Sequence, residues 1–425
     1  MFPVSLSANF KAYKICAIKL LFWCSMIYHK FSQVKAIILL PKQPKPLQEI
    51  FKLHKRKMSS AATATEPEVP DDVLFESTDV FGVATLNRPK ALNALNLSMV
   101  TKLTRKLEEW EKTKQFVIVK GAGEKAFCAG GDVRYATALE PSQNSRGKTF
   151  FRNEYIMNNL IGTYSIPYIA LIDGITMGGG VGISVHGHYR IATEKTLFAM
   201  PETAIGLFPD VGGSYFLPRL IGKLGLYLGL SGHQLKGSDV MKAGIATHYI
   251  ESSKLPKLYE ELTNSTTADN LDSVITKHTD LMHSHPFSLL PLRSKIDHCF
   301  SGNTIEEIVQ RLKEDKSDWA NNTLENLKKM SPLSLKITKR ANDFGSKQSL
   351  QDCLKMENRL AAAAIEARVS KDFYEGVRAL LVDKDKNPKW NPKTLEEISD
   401  DTVNKCFGPL EHIEEEISYL RSRKK

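Results

Sequence analysis

Two acids, Glu202 and Asp210, stand eight positions apart in the segment MPETAIGLFPDVGG, Met200–Gly213. Upstream lie two glycine-rich stretches, KAFCAGGD at Lys125–Asp132 and GITMGGGVG at Gly174–Gly182. Each follows a strand-like run and precedes a position where a helix should begin. Glycine there lets the backbone approach a ligand closely, and a helix N-terminus leaves orphan N–H donors at its positive end. Two such loops side by side could hold one developing oxyanion between Gly131 and Gly179. A carboxylate pair facing that oxyanion could hold and activate a water, which is general acid–base chemistry. Phe208 and Pro209 place Asp210 on a partly buried loop, where desolvation would raise its pKa. The plainer readings are tight turns with close helix packing for the glycines, and a solvated surface charge for an isolated glutamate.

A dinucleotide fingerprint competes for the first loop, since Gly121, Gly123 and Ala126 give G-x-G-x-x-A after a strand. It fails on its continuation. Gly130 and Gly131 would break the helix that should follow, and Tyr135–Leu139, ahead of Glu140, has little strand character. Asp132 reads as a cap or brace of the first loop. His186, His188, His233 and His248 have no nucleophile or metal spacing around them and read as structural. The six cysteines, at positions 16, 24, 128, 299, 353 and 406, form no CxxC pair and no zinc-ligand spacing. So few in so long a chain suggest a reducing compartment without a disulfide framework. No metal site is expected.

The elements that must position these residues are those of an α/β protein. Val73–Phe75 and Phe81–Leu86 read as strands joined by a turn at Ser77–Asp79. Ser98 reads as the cap of a helix whose apolar positions Val100, Leu103, Leu107 and Trp110 recur at helical spacing. Phe116–Lys120 and Tyr168–Ile172 are continuous apolar runs, hence buried strands, and Phe150–Ile161 is helical. After Leu255 helices take over. Thr304 and Glu307 form a capping box, Ser331-Pro332 opens a helix with proline in its first turn, and Leu350–Ile365 makes another. The division read from this is a non-core extension over 1–65, an α/β core over 66–255 and a helical C-terminal region over 256–425.

Charge excludes some function classes. The 425-residue chain carries +10, but residues 1–57 hold eleven Lys or Arg and one acid, Glu49. The other 368 residues are neutral, which speaks against nucleic acid and an anionic membrane as partners. The apolar run Leu20–Tyr28 has nine uncharged residues, well short of the roughly 20 a membrane span needs. Basic, acid-poor and amphiphilic, the N-terminal segment suits a mitochondrial transit peptide, although Arg56 is its one arginine. The alternative is an upstream extension ahead of Met58.

Taken together, NRPKALNAL at Asn87–Leu95, KAFCAGGD, GITMGGGVG, MPETAIGLFPDVGG, DFYEGVRALL at Asp372–Leu381 and NPKW at Asn387–Trp390 resemble the crotonase (enoyl-CoA hydratase/isomerase) superfamily. Within it they resemble the hydrolases of 3-hydroxyisobutyryl-CoA. The resemblance spans essentially 70–395 and implies a crotonase-like spiral of repeated ββα units with a helical C-terminal region. It matches Gly131 and Gly179 to the two oxyanion-hole positions and NRPKALNAL to part of the CoA pocket.

In the hydratases of that superfamily two glutamates flank the reacting water. One lies three residues after the oxyanion glycine, which here is Gly182; the other is kept as Glu202. Asp210 stands where hydratases place a glycine. The acid pair needed to add water across a double bond is therefore missing, and a pair suited to hydrolysis replaces it. Glu202 becomes the base or nucleophile, and Asp210 orients water or the substrate hydroxyl. The resemblance also implies that Glu154 lines the acyl pocket and accepts a hydrogen bond from that hydroxyl. It further implies an acyl-CoA partner, no cofactor beyond the CoA of the substrate, a possible homo-oligomer, a mitochondrial matrix location and a place in valine breakdown. The alternatives are a hydratase or isomerase of the same fold, and a crotonase-fold RNA-binding protein.

Overall fold

The strand-like runs of the sequence lie side by side. A computed structural model describes residues 71–280, 286–412 and 415–418, so the expected extension over 1–65 lies outside the described residues. All of those described belong to one compact unit.

Val73–Ser77 (β1), Phe81–Leu86 (β2), Phe116–Gly121 (β3), Tyr168–Ile172 (β5), Tyr189–Ala192 (β7) and His248–Tyr249 (β10) form one sheet in that order. β1 pairs antiparallel with β2, and every other pair is parallel. A second sheet holds the short strands Ala126–Cys128 (β4), Ile175–Met177 (β6), Leu197–Ala199 (β8) and Leu235–Lys236 (β9). Three times in succession the chain leaves the large sheet and enters the small one, from β3 to β4, β5 to β6 and β7 to β8. Helices intervene because parallel neighbours need a crossover: Ser145–Gly162 (α2) before β5, and Gly179–Val185 (α3) before β7. This is the expected spiral of ββα turns, and its first two turns end β4 and β6 in the glycine-rich stretches.

The large sheet is covered on both faces, which is why its strands read as unbroken apolar runs. Successive side chains of a strand point to opposite faces. Val117 and Val119 accordingly join the main core with Leu103, Leu107 and Trp110 of Leu97–Thr113 (α1). Phe116 and Ile118 join a second core with Leu255, Leu258 and Leu262 of Leu255–Thr263 (α4).

One cap differs from expectation. Asn96, not Ser98, caps α1: its backbone is extended and its side chain accepts from the Met99 N–H at 2.8 Å. Ser98 lies within the first turn. α2 likewise starts at Ser145, ahead of the apolar run, because Asn144 accepts from the Gly147 N–H at 2.8 Å. Further along, Thr304 accepts from the Glu307 N–H at 3.1 Å and caps Ile305–Asp315 (α5). The Glu307 carboxylate reaches back to the Asn303 N–H at 2.9 Å, one residue before the cap. Ser331 caps Pro332–Gly345 (α6), and Ser349 caps Leu350–Ile365 (α7). Asp372–Val377 (α8) then runs into a π-helical turn, Arg378–Val382.

Candidate active site

The two glycine loops meet at the ends of β4 and β6. Gly178 has φ +44° and ψ −119°, a conformation closed to L side chains, and a Cβ there would lie 2.9 Å from Glu202 Oε1. That turn starts α3 at Gly179, whose N–H has no partner inside its helix. A Cβ on Gly179 would stand 3.1 Å from the Gly131 nitrogen, so the two backbones face each other across a gap with no room for a side chain. Asp132 braces the first loop, accepting from the Tyr135 N–H at 3.4 Å and pairing with Arg88 at 3.1 Å.

Three carboxylates converge on this gap. Glu202 opens the 3₁₀ turn Glu202–Ile205 after β8, Glu154 projects from the middle of α2, and Asp210 follows Phe208-Pro209. They are 5%, 1% and 4% exposed, so none is a surface charge. With Gly131 and Gly179 they line one cavity of about 280 Å³, whose apolar wall includes Phe151, Leu207, Leu380 and Leu381. All five residues singled out from the sequence are therefore brought together. Oε1 of Glu154 and Oε2 of Glu202 have no hydrogen-bond partner in the protein, leaving acceptors free toward the cavity.

Burial raises the pKa of all three, and among the described residues no cation is placed to counter it. Glu154 and Glu202 stand well above the ordinary carboxylate value, from desolvation first and then from the Asp210 charge. Asp210 is pushed up to about 7 by burial, against the pull of a hydrogen bond from Tyr155. Tyr155 donates to Asp210 Oδ2 at 2.7 Å. Three acids so close titrate as a set.

Gly182 sits nearby in α3. A Cβ there would be 2.6 Å from Val211 Cβ and 2.8 Å from Asn158 Nδ2. The space an acid would need at position 182 is filled by those two side chains.

Sequence reasoning did not find Tyr155, Leu380 or Leu381. Tyr155 follows Glu154 directly, but nothing in its spacing marks the contact with Asp210. Leu380 and Leu381 come from the C-terminal region, where both lie on the π-helical turn and line the cavity. The histidines are tied up structurally: His186 Nε2 lies 2.8 Å from the Val211 carbonyl oxygen, His188 Nδ1 accepts from the Tyr168 N–H at 3.2 Å, and His233 Nδ1 is 3.1 Å from the Tyr227 hydroxyl. His248 Nδ1 lies 2.8 Å from Thr247 Oγ1. Ala126 opens strand β4, where a dinucleotide loop would open a helix. Among the described residues no group of three or more His, Cys, Asp or Glu is placed to hold a metal ion. A separate cavity of about 420 Å³ lies between Pro89–Asn93 and Ala122–Ala126, against the segment that resembles part of a CoA pocket.

Comparison with known proteins agrees with this geometry. The sequence model of the enoyl-CoA hydratase/isomerase family matches residues 81–407. The chain is similar to the mitochondrial 3-hydroxyisobutyryl-CoA hydrolase of Xenopus laevis, 56% identical over 337 residues, which are 77% of this chain and 86% of the relative. It is similar to the human protein of that name, 50% identical over 365 residues, which are 84% of this chain and 92% of the relative. Among solved structures it is similar to a carnitinyl-CoA dehydratase from Mycobacterium thermoresistibile, 37% identical with TM-score 0.73, covering 80% of this chain and 97% of that one. An enoyl-CoA hydratase from Rhodobacter sphaeroides is also similar, 33% identical with TM-score 0.73, covering 82% of this chain and all of that one.

Proposed function

The chain belongs to the enoyl-CoA hydratase/isomerase family, and we propose that within it this protein hydrolyses the thioester of 3-hydroxyisobutyryl-CoA, and of related short β-hydroxyacyl-CoAs such as 3-hydroxypropionyl-CoA, to the hydroxy acid and CoA. Relatives about half identical over most of the chain carry the name of that hydrolase. One structural observation supports hydrolysis over hydration: position 182 has no room for an acid, while Asp210 shares one cavity with Glu202.

In this reading the thioester oxygen lies between the Gly131 and Gly179 N–H groups. These donors stabilise the charge that develops on the oxygen; one such donor is worth about 10²–10³ in rate in a serine protease. Glu202 either takes the proton of the attacking water or attacks the carbonyl carbon itself, giving a mixed anhydride that water then splits. Both routes break the carbon–sulfur bond and release CoA. Asp210 orients the water or the substrate hydroxyl and assists the proton transfer, and Glu154 offers its free Oε1 to that hydroxyl. The reaction draws on no cofactor beyond the CoA of the substrate. Its place is valine breakdown in the mitochondrial matrix, supported by the relatives' names and the acid-poor basic N-terminus. A homo-oligomer completes the proposal, on the family habit of assembling through C-terminal helices.

Incubation with 3-hydroxyisobutyryl-CoA and a thiol reagent tests the reaction. Free CoA should appear with no change in enoyl absorbance, and crotonyl-CoA should not be hydrated at a comparable rate. Hydration without thiol release would overturn the reading.

A further inference from the structure

Asp210 reaches the cavity from an improbable turn. Its carbonyl accepts from the Gly213 N–H at 2.7 Å, closing a four-residue turn whose central residues, Val211 and Gly212, both have positive φ, +51° and +84°. That is the geometry of a type I′ turn, which favours Asn, Asp or Gly at its first central position. A β-branched residue there is strained, so the surroundings must hold it. Van der Waals contact with α3 beside Gly182 and the 2.8 Å contact of His186 with the Val211 carbonyl hold part of it.

The remaining grip comes from a fully buried acid that the reaction does not use. Glu357, on α7, accepts from the Gly212 N–H at 2.7 Å through Oε2. Its Oε1 accepts from the Ser214 N–H at 3.0 Å and the Ser214 hydroxyl at 2.5 Å. Backbone N–H groups converging from a turn make a nest of donors, and here the acceptor is a side-chain carboxyl 145 residues away in sequence.

We infer that Glu357 is a positioning residue for hydrolysis: its carboxylate holds the strained turn that aims Asp210 at the substrate and wedges Val211 into the space beside Gly182. This rests on the reading of Asp210 given above. A relaxed Val211 would rotate the 210–211 peptide, drawing Asp210 off Tyr155 and reopening the gap beside α3. Burial pushes the Glu357 carboxyl up to about 8 against the pull of its three donors, and the Asp210 charge raises it further.

The test is Glu357→Gln in the full chain, with CoA release from 3-hydroxyisobutyryl-CoA as the assay. The amide nitrogen cannot accept from an N–H, so the turn loses one anchor. kcat should fall by roughly 10²-fold, the cost of a small misplacement at a reacting centre, with KM nearly unchanged. The split between the constants is the discriminating readout: the loss should fall on kcat and leave KM in place. A merely structural glutamate would lower Tm and leave both constants of the folded enzyme unchanged. Wild-type kcat overturns the assignment of Glu357 alone. A wild type that hydrates enoyl-CoA and releases no CoA overturns the parent reading and this one together. If circular dichroism shows the Gln variant unfolded, Ser214→Ala carries the test: a several-fold loss in kcat at constant KM supports the assignment, and unchanged kcat overturns it.

Discussion

Glu154, Glu202 and Asp210 place three acids in one cavity without a neutralising cation among the described residues, and that arrangement sets both reactivity and stability. The folded pKa of Asp210, about 7, lies above its ordinary 3.8. Between those values the folded protein holds a proton that the unfolded chain has released. Stability from this group is therefore full below pH 3.8 and is lost as the pH rises through about 7. Asp210→Asn removes the buried charge and keeps an oxygen for the Tyr155 hydroxyl. It should cut turnover sharply while raising Tm at pH 8 by about 2–4 °C or more, and thermal melts should show that gain shrinking toward pH 4. Equal gains at both pH values would contradict the charge argument. Glu202→Ala should lower kcat by about 10²–10⁴-fold, the range for general acid–base groups, while calorimetry shows CoA binding nearly intact. Glu202 and Asp210 were legible because both stand in the Met200–Gly213 motif, whereas Glu154 was reached only through the family resemblance. Tyr155 and Glu357 were not legible, because their partners lie 55 and 143–145 residues away.

At the scale of elements, the long parallel strands announced themselves by being apolar throughout, since both faces of their sheet are covered. The short strands did not. β4, β6 and β8 have three residues each, too few for a period, and β4 and β6 lie in loops that glycine marks as irregular. The Arg378–Val382 turn is π-helical, a winding that no side-chain period announces. Arg378 is clamped by Glu375, Asp383 and Asp385, and Arg134 donates to the Leu381 carbonyl. Leu380 and Leu381 line the cavity that holds the three acids. Leu381→Ala should enlarge it and shift preference toward longer acyl groups by about tenfold or more in kcat/KM, the scale of methylene discrimination, as a panel of acyl-CoAs of increasing length would show. α3 allows no comparable change. Gly182→Ala forces a Cβ to within 2.6 Å of Val211, an overpacking that should cost about 1–3 kcal/mol in denaturant unfolding.

At the scale of the molecule, two regions that differ in sequence character build one site. The α/β spiral supplies both cavity glycines, Gly131 and Gly179, and all three cavity acids, while the helical region supplies Leu380, Leu381 and the carboxyl behind Asp210. The sequence marks the change near residue 255 because its strand-like runs end there, yet the lining of the cavity spans it. The other molecular asymmetry is charge. The family match covers residues 81–407, whereas the whole net charge of +10 resides in residues 1–57. A version beginning at Met58 is formally neutral, so it should pass through a cation exchanger that retains the full chain at low salt. If the site is complete within the neutral part, its kcat and KM for 3-hydroxyisobutyryl-CoA should match those of the full chain within about twofold, since charges beyond a Debye length of roughly 10 Å at 0.1 M salt are screened from the reaction. A large rise in KM at low salt, removed by added salt, would instead show that the basic segment steers the anionic CoA substrate toward its pocket.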